Sequence, residues 1–129
     1  MIKLDLNIAA DSRYSFDRKR VKAALLKTLE EQGMFNGVVK ISLSVVGDRK
    51  IRELELKYFK EDKVTDVLSF PLHEGEEMPE DFDGINLGDI VVCYPQAKRQ
   101  AMQWNRIVDE EIEFLACHGL LHLLGIHHD

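Results

Sequence analysis

No apolar run in this 129-residue chain reaches the roughly 18 residues that a membrane-spanning helix needs. The first residues, MIKLDLNIAADSRYSFD, also lack the charged start and long apolar stretch of a secretory signal. The expected address is therefore the cytoplasm, with no membrane partner. The chain is poor in cysteine: Cys93 and Cys117 are the only two, which excludes a disulfide framework and leaves both reduced in that compartment. Cys117 adjoins His118, but helical neighbours point about 100° apart, so it reads as a small buried apolar residue. Internal repeats are absent, and positive charge is in deficit, with a formal net charge of −6. That sign is unfavourable for holding phosphates. The deficit is local, however. Residues 73–84, HEGEEMPEDFDG, hold six acids and no Lys or Arg, and the remaining 17 acids balance the 17 bases. Basic clusters stand at Arg18, Lys19, Arg20 and Lys22, at Arg49, Lys50 and Arg52, at Lys57, Lys60 and Lys63, and at Lys98 and Arg99. Each is a solvated helix face or a phosphate contact.

What is present is ordinary globular composition, 45% hydrophobic and 31% charged, enough for one core and a single domain over 1–129. Residues 2–8 alternate apolar and polar as a half-buried strand. Val21, Ala24, Leu25 and Leu29 then fall at helical spacing, with Ser15 or Asp17 as cap and Gly33 as stop. Residues 38–46 alternate again, and Gly47-Asp48 opens a helix carrying Ile51, Leu54, Leu56 and Tyr58. Strands are predicted at 67–72 and, after Gly88, at DIVVCY. Pro95 begins a helix through Trp104, and a last helix runs from near Asp109 to Gly125. This order predicts an α+β fold, a small mixed sheet of about four strands covered by helices. The acidic segment reads as a solvated connection.

Four of the five histidines lie in the last 12 residues, HGLLHLLGIHHD. His118 and His122, four apart on a helix, present both imidazoles on one face about one turn apart. Gly125 ends that helix and lets the chain turn back, so that His128 can supply a third nitrogen. Three nitrogen ligands leave a fourth tetrahedral position for water, the arrangement of a catalytic zinc. The alternative for the third ligand is His127, which otherwise supports the ligands by hydrogen bonding, as Asp129 also can. Three imidazoles suit nickel, cobalt or copper as well. The spacing H-x3-H-x2-G-x2-H is that of the metzincin peptidases, which keeps a zinc metallopeptidase as an alternative. Gly119 speaks against it, because such enzymes carry their general-base Glu at that position. A phosphodiester of RNA demands less, since its own 2′-hydroxyl can be the nucleophile.

The string HGLLHLLGIHH at 118–128 resembles the YbeY family of single-strand-specific endoribonucleases, also called ribosomal RNA maturation factors. DKVTDVLSFP at 62–71 and LGDIVV at 87–92 are similar to further segments of that family. The resemblance implies an α+β fold, zinc at His118, His122 and His128, and single-stranded or ribosomal RNA as substrate. It further implies maturation of the small-subunit RNA's 3′ end, ribosome quality control and association with the small subunit. It also brings Asp66 and Ser69 near the cleft as candidate catalytic residues; the plain alternatives are a turn leading into a strand for Thr65 and Asp66 and sheet packing for Ser69 and Phe70. Three differences stand out. Ile126-His127 replaces the family's Tyr-Asp, Phe59 stands where it commonly places an Arg, and the chain ends at Asp129 where relatives continue with a helix. Lys60 or Lys63 can replace the charge, but as point charges. A non-catalytic, ribosome-associated zinc protein is the remaining alternative.

Overall fold

The computed structural model describes residues 1–73 and 82–126. The elements are β1 (Ile2–Ala10), α1 (Arg18–Glu31), β2 (Gly37–Val46), α2 (Asp48–Phe59), β3 (Val67–Pro71), β4 (Phe82–Cys93), α3 (Tyr94–Gln103) and α4 (Val108–Leu123). The expected α+β order is thus observed, with one four-stranded sheet in the order β1-β2-β4-β3. β1, β2 and β4 run parallel, and β3 pairs antiparallel with β4 at the edge. Among the described residues no helix is long and apolar enough to cross a membrane.

Alternation along the strands divides the core between two faces. Ile41, Leu43, Ile90 and Val92 join Val21, Leu25 and Leu29 of α1 and Ile112, Leu115 and Leu120 of α4 in the larger cluster. Val91 and Cys93 of β4 and Leu68 of β3 face the other way and pack under Ile51 of α2. The Asp17 carboxylate accepts from the Arg20 N–H at 3.1 Å, so Asp17 rather than Ser15 caps α1. Burial pushes the Cys93 thiol up to about 12, with the facing Asp48 carboxylate adding to the rise. Asp48 is itself held below the usual carboxylate range by the paired guanidinium of Arg99, 2.7 and 3.1 Å away, a clasp between α2 and α3.

Two expectations are corrected. β4 does not begin after Gly88 but at Phe82, inside the acidic segment, because its pairing with β2 starts at Gly37 opposite Phe82. Register shifts opposite Val38/Val39 and Lys40/Ile41 interrupt the alternation that would have announced the strand. Tyr94 belongs to α3, not to that strand. On α2, Leu56 and Tyr58 are about half exposed, and the buried stripe is Ile51 with Glu55. The helix covers only the small cluster, so one narrow face is all it buries. Residues 74–81 of the acidic segment lie outside the described residues.

Two glycines set how closely the layers approach. A Cβ on Gly119 of α4 would meet Ile90 Cγ2 at 2.7 Å and Val67 Cγ2 at 3.3 Å. On Gly88, where φ is +128°, it would collide with the Phe70 carbonyl oxygen and meet Leu123 Cδ2 at 3.2 Å. Gly119→Ala forces overpacking that costs about 1–3 kcal/mol, against a gain in helix propensity of about 1 kcal/mol. The expected outcome is a lower thermal midpoint by several degrees, measured by calorimetry; an unchanged or raised midpoint would show that the contact is not limiting.

Candidate functional site

Helix α4 is apolar on most of its circumference, burying Ile112, Leu115, Ala116, Gly119, Leu120 and Leu123. Its remaining face carries Phe114, His118 and His122 at four-residue steps. The two imidazoles have ring centroids 4.5 Å apart, and the Phe114 ring lies 6.2 Å beyond His118, nearly parallel to it. The N–H of Gly125 donates to the His122 carbonyl and that of Ile126 to the Leu121 carbonyl, and Gly125 has a φ of +80°. The helix therefore ends where Gly125 was expected to end it.

The histidine pair lies between two depressions. His122 lines a cleft of about 320 Å³ with Ser69, Thr65, Glu55, Phe59 and Lys63, along the outer edge of β3 between α2 and α4. His118 lines a groove of about 500 Å³ between α1 and α4 with Thr28, Phe114 and Cys117. A larger depression, about 720 Å³, sits at the carboxyl ends of β1 and β2 and holds neither histidine. The cleft is the better site because the His122 imidazole, the Ser69 hydroxyl and the Lys63 ammonium line it together, whereas size alone carries no chemistry.

Two imidazoles one turn apart are a donor set that suits zinc or another borderline divalent ion. Among the described residues no three His, Cys, Asp or Glu side chains converge to hold a metal, so a site of three protein donors would need one from outside them. His128, the expected third ligand, lies outside the described residues, as do His127 and Asp129. Ser69 is brought into the cleft. Asp66 is not: its carboxylate accepts from the N–H of Val67 at 2.7 Å and its carbonyl from the N–H of Cys93 at 2.8 Å, which fixes the start of β3. Phe59, in the position expected of an Arg, lines the cleft, and so does Lys63, paired with Glu61 at 2.8 Å. Gly119 is packed on Ile90, so the position that would carry a peptidase's base belongs to the helix–sheet contact.

Glu55 is a cleft residue that the pattern of apolar positions did not single out. Its signal was the step of four from Ile51, a core-facing position with a charge in it. Burial pushes its carboxyl up from the ordinary value; Lys63 pulls the other way and Glu61 adds to the rise. A carboxyl whose folded value is raised contributes stability below the unfolded value and loses it as pH rises through the folded one. Glu55→Gln is therefore expected to raise the urea midpoint near about pH 7 and leave it unaltered near about pH 3.5. Equal midpoints at both values would refute the burial penalty.

Comparison with known proteins identifies the family. The family model described as Endoribonuclease YbeY matches residues 7–129. A protein of Desulforamulus reducens named Endoribonuclease YbeY is 43% identical over 111 residues, spanning 85% of this chain and 72% of the relative. A protein of Clostridioides difficile with the same name is 37% identical, spanning 86% and 72%, and one of Persephonella marina 41%, spanning 89% and 72%. A solution structure of a Thermotoga maritima protein superposes with a TM-score of 0.58 at 27% identity, covering 100% of this chain and 75% of that one. The chain belongs to the Endoribonuclease YbeY family, a family of RNA-cutting hydrolases.

Proposed function

We propose that this chain is a zinc-dependent endoribonuclease that cuts single-stranded RNA in ribosomal RNA processing. The observation that carries the reading is the pair of imidazoles, 4.5 Å between centroids, beside a cleft that also holds the Ser69 hydroxyl and the Lys63 ammonium. His118 and His122 would hold the ion, with His128 as third ligand on the spacing of the sequence. When bound, zinc supplies a Lewis acid and lowers the pKa of a coordinated water. Ser69 can donate a hydrogen bond to a non-bridging phosphate oxygen, and Lys63 can attract the phosphate as a point charge by exchanging its Glu61 partner for it. With glycine at position 119, no side chain there can activate a water as a peptidase's Glu does; RNA brings its own nucleophile, the 2′-hydroxyl beside the phosphorus, whose proton would pass to another acceptor or to solvent. This favours RNA over a peptide substrate.

Family membership supports ribosomal RNA as the substrate. The finer reading is maturation of the small-subunit RNA's 3′ end and ribosome quality control, with the small subunit as partner and the cytoplasm as location. Elemental analysis of purified protein is expected to give one equivalent of zinc, lost in His118→Ala and His122→Ala. Cleavage of an unstructured RNA is expected to fall by more than about 100-fold in both variants, since loss of a group merely supporting a ligand already costs up to that. Equal cleavage by wild type and His122→Ala would falsify the enzymatic reading.

A further inference from the structure

The end of α2 carries two aromatic side chains that the core does not absorb. Tyr58 is 53% exposed and Phe59 47%. Both rings lean on Phe70 of β3, with centroids 5.1 and 5.9 Å away, which holds them against the sheet. The Lys57 ammonium sits 5.1 Å from the Tyr58 ring centre. Phe59 also lines the cleft that contains His122.

Ion pairs take up part of the charge of the basic clusters. Arg20 is paired with Glu113, Arg49 with Glu53, Arg52 with Asp62 and Arg99 with Asp48. Lys63 is paired with Glu61, but Lys57 and Lys60 form no ion pair among the described residues. Lys60 also closes α2 in the left-handed conformation, φ +60°, at the exposed end of the helix. Two uncompensated cations therefore flank two half-exposed rings. Sequence-tolerant binding of single strands uses such pairs, cations for the backbone and aromatic faces for the bases.

We propose that Tyr58 and Phe59 form a base-stacking platform, with Lys57 and Lys60 as phosphate contacts, over which single-stranded RNA runs into the cleft at His122. The proposal rests on the endoribonuclease reading and goes beyond it by naming where the strand lies and what grips it. Phe59 carries a ring and no charge, so affinity at this position comes from stacking and the charge from the neighbouring lysines. An uncharged peptide strand would leave the two cations uncompensated, whereas a polyanion satisfies them at every phosphate.

The test is binding of an unstructured RNA decamer carrying one 2-aminopurine, followed by anisotropy and by base fluorescence, beside a cleavage assay. Stacking quenches the probe. Phe59→Leu and Tyr58→Leu keep apolar packing on Phe70 but lose the ring, and each is expected to weaken binding about tenfold and to relieve the quench. Phe59→Trp is expected to restore both. Lys60→Ala should reduce the salt slope of binding by about 0.7. If wild type binds and cuts the RNA while both leucine variants bind and quench as it does, the platform is overturned and the nuclease reading stands. If wild type neither binds nor cuts the RNA, the nuclease reading falls and the platform with it. Melting curves on each variant separate lost stacking from lost folding.

Discussion

The depth to which α4 sinks onto the sheet governs everything that the cleft contains. Gly119 lets the helix approach until Ile90 touches its backbone, and Gly88 lets β3 and the Leu123 side chain close over β4 from either side. A side chain at either position would wedge these layers apart, because a packed interior has no slack of a methyl group's size. His122 and Ser69 meet at one cleft only because α4 and β3 are both drawn in against β4. The precision of the site is thus a property of two residues that have no functional group.

Much of this was legible beforehand. The alternation at 2–8 and 38–46 and the helical stripe of Val21, Leu25 and Leu29 mark elements whose buried faces have one period each, and the order of all eight elements followed. The pairing of His118 with His122 needed only the geometry of a helix. What escaped notice has physical causes. The beginning of β4 was hidden because its two register shifts break period two and its first residues share an acidic composition with the connection before it. Glu55 escaped because carboxylates on a helix ordinarily face water, and only tertiary packing turned this one inward. Asp66 and Ser69, adjacent to one strand, were separated by what the pattern could not give: one carboxylate bonds its own backbone neighbour while one hydroxyl faces the histidines' cleft.

The cleft also shows how one chain can combine net negative charge with a polyanionic substrate. Several of its arginines are neutralised in place by ion pairs, as Arg99 by Asp48, which joins α3 to α2. Such pairs contribute little energy at an exposed surface, but they remove those charges from competition for phosphate. Among the cations left without an ion pair in the described residues, Lys57 lies over the Tyr58 ring. On the proposed platform, selectivity for unpaired strands would follow, since a base can lie on a ring only when it is not already stacked and paired in a duplex.

The strand order has a consequence in time as well as in space. β1 and β2 are joined through α1 and can pair as soon as both are made, but β4, which lies beside β2, begins 36 residues after β2 ends. During synthesis the inner edge of β2 therefore stands without a partner, with Ile41, Leu43 and Val45 uncovered, until residues 82–93 have emerged. Closing that gap pays loop entropy before the pairing repays it. The sheet that supports the cleft is complete only after β4 has slipped between two strands made before it, and nascent chains are most open to association with one another in that interval.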